Sequence, residues 1–125
     1  MALQRLTFHI TDRCQLNCDH CLRDPEAKAQ DLDLSLIESV LDHARALFDT
    51  RHVGLTGGEP ALHPHFYEIV DAIADRGYTW HVVTNGERFE RMLQRLGERP
   101  ARLESMRLLN FSLDGATAET HDAIR

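Results

Sequence analysis

Short strand-like runs alternate with helix-patterned segments along the whole chain, and that alternation constrains the fold more than any other feature. Leu6, Phe8 and Ile10 share one face of the run Leu6 to Ile10, with Thr7 and His9 on the other, the period of a first strand. Leu36, Ile37, Val40, Leu41, Ala44, Leu47 and Phe48 then recur at helical spacing behind Ser35 and Glu38, which have the S-x-x-E pattern of a capping box. His52 to Thr56 is a second strand, stopped by Gly57 and Gly58. A helix follows, with Pro64 in its first turn and Phe66, Ile69, Val70 and Ile73 marking it as far as Gly77. Tyr78 to Thr84 is a third strand, followed by the turn Asn85-Gly86 and a helix carrying Phe89, Met92, Leu93 and Leu96. Met106 to Leu113 is a fourth strand, and Thr117 opens the pattern of another helix. Strand and helix alternating over linkers this short imply an α/β fold of βα repeats on a parallel sheet, either barrel or flat.

Every unusual motif falls directly after one of these strands. The cysteines follow the first, Gly57-Gly58-Glu59-Pro60 the second, Thr84-Asn85-Gly86 the third and Asp114-Gly115 the fourth. In a parallel sheet those positions share the carboxyl edge, where barrels and open α/β sheets both build their sites.

With 125 residues, 42% of them hydrophobic, the chain is long enough for one domain and too short for two. Its first residues lack the charged start and apolar centre of a signal peptide, and no apolar run could span a membrane, so a cytoplasmic, non-membrane protein is expected. The net charge of −6, with both signs interspersed, gives no basic stripe for a nucleic acid.

Cys14, Cys18 and Cys21 are the only three cysteines and are spaced C-x3-C-x2-C, too close together to close a long disulfide loop. In a reducing compartment they read as metal ligands or reactive thiols. Three thiolates on a four-iron cluster would leave one iron open to substrate. A Cys3His zinc site fits the spacing too, since eight histidines are available, although His20 abuts Cys21 and would strain so short a loop. The pair Gly57-Gly58 lets backbone approach a ligand, Glu59 adds an anionic acceptor and Pro60 stiffens the exit. No G-K-[ST] follows, so this is not a phosphate loop. A carboxylate and carbonyl groups beside a metal suit a ligand bearing an ammonium group. His63 is expected to be a cap or turn residue. His9, His43, His52, His81 and His121, and the charged face of the third helix, read as structural or solvated.

Cys14-Gln-Leu-Asn-Cys18-Asp-His-Cys21 followed by Gly57-Gly58-Glu59-Pro60 resembles the signature of the radical S-adenosylmethionine (radical SAM) superfamily. The likeness is greatest to the branch of the molybdenum-cofactor cyclase, the nitrogenase-cofactor enzyme and peptide-modifying enzymes. Thr84-Asn85-Gly86, Ser112-Leu113-Asp114-Gly115, His121-Asp122 and Arg125 extend the resemblance from Thr7 to Arg125. It implies that Cys14, Cys18 and Cys21 bind a [4Fe-4S] cluster whose open iron is chelated by S-adenosyl-L-methionine. Reductive cleavage of that co-substrate would give a 5′-deoxyadenosyl radical that takes hydrogen from a substrate, a small molecule or peptide. A flavodoxin or ferredoxin would supply the electron.

Carried over by resemblance, Gly57, Gly58 and Glu59 form the turn in which Gly58 and Glu59 receive the methionyl ammonium. His20 lies near the adenine, Ser112 contacts the methionyl or ribose portion, and Thr84 faces co-substrate or substrate. Residues 1–125 would form an incomplete core domain, with a cluster loop over 11–24 and strands 2 to 4 with their helices over 52–125. They would supply the first four strands of a partial (β/α)6 TIM-like barrel, and such a fragment is expected to hold the cluster but to turn over substrate poorly. The alternative is a non-catalytic zinc-binding or scaffold module that docks on a partner chain.

Overall fold

In a computed structural model of the chain, residues 5–13 and 30–111 are described. Four strands, β1 (Arg5–His9), β2 (His52–Thr56), β3 (Thr79–Thr84) and β4 (Met106–Phe111), form one sheet in the order β1-β2-β3-β4. All three pairings are parallel. Between them lie α1 (Leu34–Phe48), α2 (Phe66–Asp75), α3 (Phe89–Leu96) and α4 (Pro100–Ser105). Successive parallel neighbours joined by crossovers of one hand put the helices on one face of the sheet. There α1 packs on α2, and α2 on α4. The result is the parallel α/β fold expected from the alternation, in keeping with part of a TIM-like barrel.

The register explains why the two faces differ. Leu6, Val53 and Trp80 form one cross-strand row, and Phe8, Leu55 and Val82 another. Both rows lie beneath Ile37, Leu41, Phe66, Ile69 and Ile73 of α1 and α2. The opposite face carries the rows Arg5–His52–Thr79 and Thr7–Gly54–His81, which are polar and partly open. Alternation along each strand thus separates an apolar, helix-covered layer from a polar one.

Several local details depart from expectation. Helix α1 starts one residue before Ser35, with Asp33 as its N-cap and no side-chain capping bond, so Ser35 and Glu38 do not form the capping box. Leu36, Leu47 and Phe48 are exposed, and the buried residues of α1 are Ile37, Leu41 and Ala44. An amphipathic helix on one sheet needs only a narrow apolar stripe, and Leu36, Leu47 and Phe48 lie outside it. Pro64 stands in the turn before α2, and Pro60 opens a separate 3-10 turn, Pro60–Leu62. Leu93 is also exposed. Helix α4 was not expected from the sequence. It begins on Pro100 soon after Gly97 and is anchored by Arg102, which is 7% exposed, pairs with both carboxylate oxygens of Asp71 and donates to the Arg95 carbonyl. Tyr78 precedes β3 and is buried, its hydroxyl donating to the Leu41 carbonyl.

Candidate functional site at the carboxyl edge

Beyond β1 the chain stays beside β2, with the Ile10 N–H donating to Thr56 O at 2.9 Å. It then pairs antiparallel with residues 30–32: Asp12 N–H donates to Gln30 O at 3.0 Å, and Leu32 N–H to Ile10 O at 2.8 Å, around a Thr11–Asp31 bridge. The described residues on either side of segment 14–29, which holds all three cysteines, therefore lie side by side at the carboxyl end of β1. The buried Thr11 hydroxyl donates to Asp31 Oδ1 at 2.6 Å. Arg13 reaches both oxygens of the same carboxylate, with Nε at 2.9 and 3.1 Å and Nη2 at 2.9 Å. The hydrogen bond from Arg13, chief among several causes, holds the Asp31 carboxyl below the usual carboxylate range.

The Gly57-Gly58-Glu59 turn fits against this base. Gly58 N–H donates to Thr11 O at 2.9 Å and Glu59 N–H to Arg13 O at 2.7 Å. A Cβ at Gly57, where φ is +152°, would lie 2.5 Å from Thr11 O, and one at Gly58 would be well inside contact distance of Arg13 O. Both glycines are thus required by the crossing of two backbones.

Glu59 is fully buried. Its Oε1 accepts from the Thr84 hydroxyl at 2.6 Å and from Ala61 N–H at 3.4 Å, and its Oε2 from Asn85 N–H at 2.7 Å. Thr84 Oγ1 in turn accepts from Gly86 N–H at 3.2 Å, and Asn85 Oδ1 from Glu87 N–H at 2.9 Å. Gly86, with φ at +81°, has room for no more than a tight Cβ, 3.0 Å from the ring of Phe111 at the end of β4. One hydrogen-bonded path thus runs from the base of segment 14–29 through the glycine turn to the β3 turn, which abuts β4.

His63 closes the other side. Its Nδ1 accepts from His65 N–H at 2.9 Å, so Nε2 carries the proton and donates to Leu32 O at 2.7 Å. His63 is 5% exposed and its ring is held at both nitrogens, a turn residue that also holds the chain re-entering at Gln30.

Of the residues singled out in the sequence, Gly57, Gly58, Glu59 and Thr84 come together at this edge. Cys14, Cys18, Cys21, His20 and Ser112 lie outside the described residues, as do Asp114, Gly115, His121, Asp122 and Arg125. Cys14 directly follows Arg13, and Ser112 directly follows Phe111, so both chain ends leading to them are at the edge. Thr11, Arg13 and Asp31 did not stand out in the sequence, where only their positions flanking the cysteine segment could have pointed to them.

The family model of the radical SAM superfamily matches residues 8–125. The mycofactocin maturase MftC of Mycobacterium ulcerans is 34% identical over 127 residues, covering 96% of this chain and 31% of the relative. A tungsten-containing aldehyde ferredoxin oxidoreductase cofactor-modifying protein of Pyrococcus furiosus is 31% identical over 115 residues, 90% of this chain and 31% of the relative. A GTP 3′,8-cyclase of Microcystis aeruginosa is 35% identical over 126 residues, 95% of this chain and 37% of the relative. The chain spans about a third of the length of the curated relatives it matches.

Proposed function

The chain belongs to the radical SAM superfamily, whose members use a [4Fe-4S] cluster and S-adenosylmethionine, and on that premise we propose that it forms the cluster- and co-substrate-binding part of a radical SAM enzyme. Cys14, Cys18 and Cys21 hold the cluster. The chemistry this group supplies when bound is one-electron reduction of the co-substrate sulfonium, yielding methionine and a 5′-deoxyadenosyl radical that abstracts hydrogen from the substrate.

The site suits that group. Three thiolates from one short loop leave one iron free of protein ligands, and the hydrogen bond from Glu59 N–H to Arg13 O supports placing the glycine turn beside the residue preceding Cys14. That bond is the observation that carries the reading. Gly58 and Glu59 receive the methionyl ammonium through backbone carbonyls of the turn, because the Glu59 carboxylate is buried and already accepts from Thr84, Asn85 and Ala61. Thr84, whose hydroxyl is committed to Glu59, braces the carboxylate of the glycine turn. His20 lies near the adenine and Ser112 near the methionyl or ribose portion. A flavodoxin or ferredoxin delivers the electron, the substrate is a small molecule or peptide, and the protein works in the cytoplasm. Among the described residues no helix is long and apolar enough to cross a membrane.

The test is iron and acid-labile sulfide analysis after anaerobic reconstitution, followed by the spin-resonance spectrum of the reduced protein with and without S-adenosylmethionine. Near-stoichiometric iron and sulfide and a changed spectrum are expected. Stoichiometric zinc without sulfide would refute the reading, and an unchanged spectrum would remove the open-iron role.

A further inference from the structure

We propose that Asp31 is a positioning residue that fastens the two flanks of the cysteine-bearing segment, residues 11–13 and 30–32, to each other and so governs how firmly the cluster is held. This rests on the reading of the site given above.

Each end of segment 14–29 is tied separately to the turn after β2. The outgoing end is held by Gly58 and Glu59 N–H on Thr11 O and Arg13 O, and the returning end by His63 Nε2–H on Leu32 O. Among the described residues, the main-chain hydrogen bonds between the two flanks are those from Asp12 N–H and Leu32 N–H, too little for an antiparallel pair to persist unaided. The side chains of Thr11 and Arg13 converge on the carboxylate of Asp31, which takes one hydrogen bond from Thr11 and three contacts from Arg13.

An exposed ion pair alone contributes little, and Arg13 is 46% exposed. Two features raise this one above that level. The arginine is bidentate, which fixes direction as well as distance. Thr11 is 1% exposed, so removing the acceptor of its hydroxyl strands a buried donor. Cys14 directly follows Arg13, so the pair of chain segments that Asp31 fastens leads straight into the cluster ligands, and loosening that pair would speed the loss of iron.

The test uses the full chain, metal-free and reconstituted. In metal-free Asp31→Ala protein, amide hydrogen exchange at Asp12 and Leu32 should quicken about tenfold, as expected for a lost charge-assisted hydrogen bond, while Val53 and Val82 keep their wild-type rates. After reconstitution, iron should pass to a chelator about tenfold faster from Asp31→Ala than from wild type, with Asp31→Asn in between. The double variant Arg13→Ala/Asp31→Ala should release iron no faster than Asp31→Ala, because both remove one linkage. Unchanged exchange at Asp12 and Leu32, equal acceleration at all four amides, or additive effects in the double variant would each overturn the proposal. Failure of wild type to take up iron and sulfide would instead refute the reading of the site, and exchange in the metal-free chain would still decide the role of Asp31.

Discussion

Two glycines of this chain are crowded by neighbours of different kinds, and the kind of neighbour sets how much each substitution costs. At Gly58 an added methyl meets the Arg13 carbonyl, a main-chain group that is itself bonded to Glu59 N–H. At Gly54 it meets the His81 ring, 2.6 Å from Cε1, on the polar face of the sheet, where a side chain can shift. Gly58→Ala should therefore lower stability by about 2–3 kcal/mol and Gly54→Ala by about 1 kcal/mol or less, read from urea midpoints. In a His81→Ala background Gly54→Ala should cost almost nothing; equal losses at the two glycines would show that neighbour rigidity does not set the cost. The need for glycine at 57 and 58 was legible in the sequence, but its cause was not, because nothing local says that Thr11 and Arg13 cross there. The same holds for Glu59, an anionic acceptor in a turn when read alone. Its partners at Thr84 and Asn85 are distant in sequence and become neighbours only when β2 and β3 pair.

Between elements, the pairing of β2 with β3 brings His52 and His81 together. His52 Nε2 and His81 Nδ1 are 2.8 Å apart, and His52 Nδ1 is 2.8 Å from Thr79 Oγ1. Ring planes 9° apart with centroids at 5.0 Å fit rings lying edge to edge in nearly one plane, sharing a proton, and not a face-to-face stack. Burial is the leading cause that pushes both imidazoles below the ordinary histidine pKa, helped by the neighbouring cations. The sign follows from linkage. With the folded values depressed, the unfolded chain binds more protons as pH falls through about 6.5, so stability is complete above that pH and declines toward the folded pKa. Denaturant midpoints at pH 7.5 and 5.5 should show this fall in wild type and a smaller one in His52→Asn; an identical fall would place the titration elsewhere. Sequence reading gave these two histidines a structural role without pairing them, since only register puts them side by side. It placed the strands to within a residue at their starts because strand periodicity and glycine stops are local signals. It missed α4 because six residues hold too few turns for a helical period to show.

For the molecule as a whole, the carboxyl edge of the sheet and the residues flanking the cysteines, 11–13 and 30–32, form one mechanical unit. Thr11 O and Arg13 O are held from the turn after β2, Leu32 O from His63, and the turn after β3 is held through Glu59. The turns after β2 and β3 were legible at that edge because each follows a strand, whereas the hydrogen bonds that link them to each other and to the end of β1 join residues far apart in sequence. A cluster that bound to Cys14, Cys18 and Cys21 in the folded chain alone, as proposed, would stabilise the whole sheet by mass action, with its binding energy transmitted through these contacts. Anaerobic thermal melts of metal-free and reconstituted protein should then differ by about 8–12 °C, taking about 4 °C for each kcal/mol in a domain of this size. A Cys18→Ala variant put through the same reconstitution should melt with the metal-free protein, and Gly58→Ala should show a smaller rise than wild type because its turn no longer fits against Arg13 O. If fully iron-loaded wild type melted at the metal-free temperature, the cysteine segment would be uncoupled from the sheet, and the contacts at Thr11, Arg13 and Leu32 would be local ties without consequence for the fold.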